Sequence, residues 1–301
     1  MNIELLFEEF CQYAQVMKGQ APKTISRYRS LIPFFFKYTK VDSIGDLNEQ
    51  MVYDFFMYGR TERNWSNNTF ITYYMSLLGF FKWCCMKGHV THNLVEHIEL
   101  PRKEKRVPRK LTIQQSMQLL KVARNYPYKY HFLRYRDHAI FATYLYTGIR
   151  KSELLNLTLI DVDLKNLTLM VRQGKGRKDR IIPIGYQLAH ILNKYLKERK
   201  RLRKSCPSFF TALRGNKGLS PGSLKYVTER LKNASGLDFS IHSLRHTFAT
   251  LMLEGGCDIY SLSKMMGHSD IKTTTIYLSA SAEHLRGELN KHPLNDMALY
   301  H

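Results

Sequence analysis

Hydrophobic residues recur every three or four positions along most of the chain, which is the pattern of helices that bury one face. In the first hundred residues this spacing predicts four helices. They cover Leu5 to Tyr13, the stretch TISRYRSLIPFFFKYTK from about Lys23, Leu47 to Tyr58, and Asn67 to Met86. Gly88 suits the end of the fourth, because glycine adopts the left-handed conformation that terminates helices. A compact helical domain over residues 1–99 is predicted.

The next stretch, residues 100–110, breaks this pattern. LPRKEKRVPRKL (100–111) contains two prolines and six basic residues with little apolar content, so an exposed linker is predicted. Such a charge run is either simply solvated or lies against phosphates, and the sequence leaves both interpretations open.

A second domain is predicted over residues 111–301, where helices frame a short sheet. Helical spacing covers Thr112 to Asn125, Tyr135 to Thr147, Ser152 to Leu157, and the chain from Tyr186 onward. Between them, LTLMVRQ (167–173) and RIIPIG (180–185) alternate as strands do and flank the basic turn GKGRKD, and Val162 to Leu164 suggests a third short strand. The predicted fold class is mainly α with a small antiparallel β-sheet.

The net charge of the chain indicates which kinds of binding partner it favours. The 301 residues include 46 Lys and Arg against 25 Asp and Glu, a formal net charge of +21. Such an excess favours a polyanion, with nucleic acid first and an anionic membrane surface second. No run of about 18 apolar residues predicts a membrane span, and the acidic start MNIELLFEEF is unlike a signal peptide. The five cysteines lack metal-type spacing, which favours reduced thiols in the cytoplasm.

The stretch SIHSLRHTFAT (240–250) concentrates basic side chains at the start of a predicted helix. Cations there oppose the helix dipole, unless an anion is held at that end. His242 and Arg245 are three residues apart and share a face, so both can reach such an anion. His246 is interpreted as a packed or supporting residue.

Four motifs of the second domain follow one another in a recognisable order: TGIRKSELLNL (147–157), GKGRKDR (174–180), HSLRH (242–246) and GHSDIKTTTIYL (267–278). Each is weak by itself, but the ordered set is specific. With them, and with APKTISRYRSLIPFFFKYT near the start, the chain resembles the tyrosine site-specific recombinases and phage integrases, particularly the two-domain Xer-type members. The resemblance implies an N-terminal helical, SAM-like core-binding domain that clamps DNA and a C-terminal catalytic domain.

The resemblance also implies a catalytic set, which consists of Arg150, Lys175, His242, Arg245, His268 and Tyr277, the nucleophile. Lys178 competes with Lys175, although the Gly-Lys-Gly context favours Lys175. His242 is the expected general base and His268 the expected donor to a phosphate oxygen. Glu153 is expected to be structural, orienting a cationic neighbour or the His242 side of the site.

The residue types fit metal-free chemistry at a phosphodiester. Attack creates a pentavalent centre whose extra negative charge needs fixed cations or donors. The planar forks of Arg150 and Arg245 can bind phosphate oxygens while staying charged. A phenol with a pKa of about 10 needs nearby cations and a base to become a nucleophile. No cofactor is expected.

For the reaction, the resemblance implies a 3′-phosphotyrosyl intermediate, a free 5′-hydroxyl, and strand exchange through a Holliday junction. The implied partner is double-stranded DNA with inverted-repeat core sites, bound by a homotetramer on two synapsed sites. A second recombinase or a directionality factor is a further candidate partner. The expected location is the cytoplasm, at the nucleoid, with no membrane. No additional arm-binding domain is expected before the clamp domain, and chromosome-dimer resolution and mobile-element integration or excision both stay open.

The N-terminal domain offers six candidate DNA contacts on two helices. They are Lys23, Thr24 and Arg27 on one, and Asn67, Asn68 and Thr72 on another. About half of them are expected to touch DNA, the others being solvated surface.

Three other functions are compatible with parts of the pattern. A type IB topoisomerase-like enzyme would relax DNA without strand transfer between duplexes, and a non-catalytic DNA-binding regulator would form no covalent adduct. A metal hydrolase would use the histidines and one cysteine and would lose activity in chelator. Its ligands would be His242, His246, His268 and Cys257.

Overall fold

The computed structural model describes residues 2–102, 109–172, 179–267 and 274. The chain divides into two compact units, Met1–Arg106 and Val107–His301. Each unit has its own buried apolar core.

The four helices predicted for the first unit are present. They are α1 (Ile3–Val16), α2 (Pro22–Thr39), α3 (Glu49–Thr61) and α4 (Asn67–Met86). Helix α4 has the predicted bounds because Ser66 caps it, its hydroxyl accepting a hydrogen bond from the amide of Thr69 at 3.2 Å. Gly88 follows its end with a φ of +74°.

Aromatic side chains fill the core of this unit. Phe35 lies fully buried against Phe55 and Phe81, with ring centroids 5.0 and 6.2 Å away and near-perpendicular planes. Edge-to-face pairs of this kind add specific geometry to apolar burial. The rings of α2, α3 and α4 are thereby locked into one core.

Helices also dominate the second unit. They are α5 (Ile113–Asn125), α6 (His131–Thr147), α7 (Lys151–Asn156), α8 (Tyr186–Arg201), α9 (Pro221–Ser235), α10 (Ile241–Glu254) and α11 (Ile259–Met266). Helix α6 packs against α5, α8 and α10 and is buried on almost every side. It begins four residues before the predicted Tyr135. An all-round buried helix has no polar face to mark its extent, so periodicity locates its ends poorly.

The predicted hairpin and its third strand form one antiparallel sheet. Its strands are β1 (Val162–Asp163), β2 (Thr168–Val171) and β3 (Arg180–Pro183), in that order across the sheet. Val171 lies opposite Arg180, and Ile182 is buried while Ile181 is exposed. Arg180 therefore shares the inward face with Ile182. The predicted fold class, mainly α with a small antiparallel sheet, is confirmed.

Glycines end the two helices that border the candidate site. Gly148 closes α6 with φ +59°, and Gly267 closes α11 with φ +63°. A Cβ on Gly148 would lie 2.3 Å from the ring of Phe248 on α10. Both the left-handed backbone and the close packing thus require glycine at this turn.

We expect Gly148→Ala to destabilise the protein by about 2–4 kcal/mol, because strain at positive φ adds to a clash with a buried ring. Gly236→Ala is the matched control. Gly236 also ends a helix at φ +67°, but no atom lies within 4 Å of its added Cβ. Denaturant unfolding should show a clearly smaller loss for the control, and equal losses would contradict the role given to Phe248.

Candidate active site

Arg150 stands at the start of α7, where three bonds fix it. Its Nη1 donates to Oε1 of Glu153 at 2.8 Å, and its backbone amide donates to Oε2 of the same carboxylate at 2.8 Å. Its Nη2 donates to the carbonyl of Gly267 at 2.7 Å. The guanidinium is thereby oriented before any ligand binds.

Arg245 lies on α10 and is buried. It donates to the carbonyl of Gly148 and, through Nη2, to the carbonyl of Met266 at 2.6 Å. Because Met266 and Gly267 are consecutive, the partners of Arg245 and Arg150 are adjacent peptide groups. The structure thus brings the two predicted arginines together from helices almost a hundred positions apart in sequence.

His242 lies in the first turn of α10, after the Ser240 cap, and its ring contacts that of His246 edge to face with centroids 4.3 Å apart. Partial burial, followed by the charge of Arg245, lowers the pKa of His242 below its usual value. Burial, followed by the charges of His242 and Arg245, lowers the pKa of His246 to about 4. The ring of His246 thus supports the ring of His242, in agreement with the interpretation of His246 as a supporting residue.

Glu153 is the carboxylate at the centre of the site. Its side chain is only 5% exposed, and it binds Arg150 on one side and Arg180 on the other. Burial by itself would raise the pKa of Glu153, but hydrogen bonds and charge from Arg180, followed by bonds from Arg150, lower it to about 2. The prediction that Glu153 orients a cationic neighbour is confirmed by its bonds to Arg150.

Arg180 also belongs to this cluster, although it is not among the site residues predicted from the sequence. Its two terminal nitrogens donate to both oxygens of Glu153 at 2.9 and 2.8 Å, and its Nε donates to the carbonyl of Met265 at 2.8 Å. One signal was available in the sequence. Arg180 lies two positions before the apolar Ile182, so both side chains share one face of the strand. A charged side chain on a face that is turned to the core needs a partner.

Three of the six predicted catalytic residues, Lys175, His268 and Tyr277, lie outside the described residues, as does Lys178. The residues next to them in sequence do belong to the cluster described above. Arg180 directly follows the basic segment GKGRKD, and Gly267 directly precedes His268. Their roles stay predictions.

Chemically, the described cluster is a cationic site beside a helix N-terminus. It holds three guanidiniums, one buried carboxylate and a histidine pair, so positive charge remains after the carboxylate is counted. Guanidinium forks suit a phosphate oxygen. In the parts of the chain that the structure describes, no three His, Cys, Asp or Glu side chains form a metal-binding group.

The N-terminal unit places the six candidate DNA contacts at two helix starts. Lys23 and Arg27 are exposed on α2, and Asn68 is exposed on α4. Asn67 is already engaged, because its side chain accepts from Arg60 at 2.7 Å and donates to the carbonyl of Arg102 at 3.0 Å. The Thr72 hydroxyl donates to the carbonyl of Asn68 at 2.6 Å. Thr24 is partly buried.

Comparison with known proteins decides the family. Residues 109–284 match the Phage integrase family, and residues 6–88 match the phage integrase N-terminal SAM-like domain. The chain belongs to the phage integrase family. It is a tyrosine recombinase, an enzyme of site-specific DNA recombination.

Relatives of this phage integrase family member cover nearly its whole length. It is 30% identical to Tyrosine recombinase XerA of Pyrococcus horikoshii, over 99% of this chain and 97% of the relative. It is 31% identical to Tyrosine recombinase XerC of Bacillus licheniformis, over 97% of both chains. The XerH recombinase bound to its palindromic difH substrate has a similar fold, with a TM-score of 0.74 at 22% identity over 95% of this chain and 83% of that one.

Within the described ranges, no helix of this integrase-family chain combines the length and the apolar character needed to cross a bilayer.

The depressed pKa of Glu153 makes a prediction about acid stability. The pKa of this carboxyl is about 4.5 in the unfolded chain and about 2 in the folded protein, so its contribution to stability is fully present above the unfolded pKa. It is lost as the pH falls from about 4.5 to about 2, and it amounts to about 3 kcal/mol at neutral pH. We therefore expect Glu153→Gln to be much less stable than the wild type at pH 7. The difference in free energy of unfolding between the two proteins should decrease as the pH falls through that window.

The measurement is denaturant unfolding of both proteins at several pH values. Glu254→Gln is the control, because Glu254 pairs with Lys110 in an exposed position. Its removal should change the free energy of unfolding by less than about 1 kcal/mol. A Glu153→Gln difference that is independent of pH would contradict the assignment of the pKa shift to the folded state.

Proposed function

We propose that this recombinase cleaves one DNA strand with Tyr277, which forms a 3′-phosphotyrosyl link and frees a 5′-hydroxyl. A 5′-hydroxyl of a second duplex then attacks the link, and two such rounds exchange strands through a Holliday junction. The observation that carries the proposal is the pair Arg150 and Arg245. They bind the adjacent carbonyls of Gly267 and Met266, immediately before the segment that contains His268 and Tyr277.

Each of these proposed catalytic residues has a distinct task. Arg150 and Arg245 stabilise the charge that develops on the non-bridging oxygens, since preorganised donors in a fixed site lower the barrier most. His242 accepts the proton of the Tyr277 phenol, and the lowered pKa of His242 supports this role because the imidazole is neutral near pH 7. His268 donates to a phosphate oxygen. Because the phosphoester bond energy is kept in the tyrosyl link, the reaction uses neither ATP nor a metal.

DNA binding is assigned to both parts of the chain. The proposed division is residues 1–99 as the clamp domain, 100–110 as a basic linker and 111–301 as the catalytic domain. Exposed Lys23, Arg27 and Asn68 are the strongest candidates for contacts in the clamp, with Thr24, Asn67 and Thr72 beside them. The net charge of +21 supports extensive phosphate contact.

The proposed assembly is a homotetramer that holds two DNA sites together at the nucleoid, in the cytoplasm. The similar XerH protein is bound to a palindromic substrate, which supports inverted-repeat sites for this chain. Protein two-fold symmetry is mirrored in half-site symmetry. A partner recombinase or directionality factor would act on this assembly.

We expect Tyr277→Phe to bind DNA as the wild type does and to form no covalent adduct, because only the nucleophilic oxygen is removed. The probe is a nicked duplex carrying the sequence that the wild type selects from a randomised pool. Adduct is measured on a denaturing gel and affinity by a mobility shift. Adduct formation by Tyr277→Phe would assign the nucleophile to another residue.

The wild type on two duplexes separates recombination from relaxation. Transfer of a labelled strand from one duplex to the other, unchanged in chelator, is expected for the recombinase. Relaxation of supercoils without any strand transfer would favour the topoisomerase-like alternative instead. Binding without adduct by the wild type would favour the non-catalytic regulator.

Lys175 is proposed to protonate the leaving 5′-oxygen, because an alkoxide leaves poorly near neutral pH and a lysine close to arginines has a lowered pKa. Sulfur at the bridging position removes this need, since a thiol has a pKa of about 8.5. We therefore expect Lys175→Ala to cleave ordinary DNA slowly and the sulfur-bridged DNA at nearly the wild-type rate.

Two controls accompany this measurement. Arg150→Ala should stay slow on both substrates, because Arg150 stabilises charge and donates no proton. Lys178→Ala tests the competing lysine of the same turn and should cleave ordinary DNA normally. Equal slowness of Lys175→Ala on both substrates would overturn the general-acid assignment.

A further inference from the structure

The C-terminal end of α11 is bound by three arginines in succession. Each donates to one of three consecutive backbone carbonyls, at 2.6 to 2.8 Å. The pairs are Arg180 with Met265, Arg245 with Met266, and Arg150 with Gly267. The last carbonyls of a helix lack intrahelical partners and carry partial negative charge, so they are strong acceptors for cations.

Arg180 differs from the other two arginines because it also binds Glu153 with both terminal nitrogens. Its side chain is 10% exposed, against 22% for Arg150. Fork-to-carboxylate pairs of this geometry are stronger and more directional than single bonds. Arg180 therefore joins β3, α7 and the end of α11 through one side chain.

Gly267 makes room for this arrangement. A Cβ at that position would lie 2.9 Å from both Cδ and Nη1 of Arg180. The glycine that ends α11 therefore allows its own carbonyl to bind Arg150 while the Arg180 side chain passes directly beside it.

The charge balance gives Arg180 a second task. A carboxylate bound only to Arg150 would cancel the charge that Arg150 offers to a phosphate. With Arg180 on its other side, the group Arg150–Glu153–Arg180 keeps a net charge of about +1, and Glu153 shares its charge between two cations. Glu153 can then orient Arg150 without neutralising it.

We propose that Arg180 is a positioning residue of the recombination site, which offsets the charge of Glu153 and fixes the end of α11, so that the cluster meets the phosphate with net positive charge and with Arg150 and Arg245 correctly oriented. This inference rests on the proposed function of that site. Arg180 itself touches no reacting atom.

The test uses the full-length chain and the nicked duplex selected by the wild type, in single-turnover cleavage at saturating protein. We expect Arg180→Met to cleave about tenfold more slowly or worse, with a DNA affinity within about threefold of the wild type. Arg172→Met is the matched control from the same hairpin. Arg172 also pairs with a carboxylate, Asp161, but outside the cluster, and this variant should cleave normally.

Removing Glu153 as well separates charge offset from simple structural support. In Glu153→Gln with Arg180→Met, the unbalanced carboxylate is gone, so the cleavage rate should exceed that of Arg180→Met. If Arg180 only gave structural support and did not offset the charge of Glu153, the double variant would cleave as slowly as Arg180→Met or more slowly. That outcome would overturn the proposal. So would wild-type cleavage by Arg180→Met.

One further variant keeps the test decisive. If Arg180→Met does not fold, Arg180→Lys takes its place, since it keeps the charge and loses the two-pronged bond. It should cleave more slowly than the wild type, and wild-type cleavage would overturn the proposal. Failure of the proposed function is distinct, because the wild type would then form no adduct or Tyr277→Phe would still form one.

Discussion

The burial of one carboxylate among arginines is the constraint on which the catalytic unit depends. Glu153 is 5% exposed and would be expensive to bury without partners. Its four bonds to Arg150 and Arg180 meet that demand and, in doing so, fix α7 against β3. The stability of the fold and the orientation of a proposed catalytic arginine therefore come from the same contacts.

Glycine-terminated helices complete the arrangement. Helices α6 and α11 both end in the left-handed conformation, and each presents a glycine carbonyl to an arginine, Gly148 to Arg245 and Gly267 to Arg150. The glycines of the first and last motifs thus have a physical role independent of any ligand. Their carbonyls accept hydrogen bonds from the arginine side chains and hold them in place. Because these side chains are already ordered in the free protein, they lose little conformational entropy when DNA binds.

Most of the fold could be predicted because local signals define it. Ser66 and Gly88 delimit α4, and alternation around a basic turn identifies the β2–β3 hairpin. Arg180 was missed because its partners are distant in sequence. Glu153 is 27 positions away and Met265 is 85, and no spacing rule links a strand residue to a helix-end carbonyl. Motif order supplied Arg150 and Arg245, but only the folded chain shows what orients them.

The kind of acceptor that these arginines bind, backbone carbonyl or carboxylate, also affects catalysis. Several cations held close together repel one another, and a DNA-free site must offset that repulsion. More carboxylates would do so, but each would repel the incoming phosphate and the greater charge of its transition state. Backbone carbonyls at a helix end carry only partial charge, do not titrate and cannot turn towards the phosphate. With one shared carboxylate and four carbonyls, the cluster keeps its arginines ordered and still presents net positive charge to DNA.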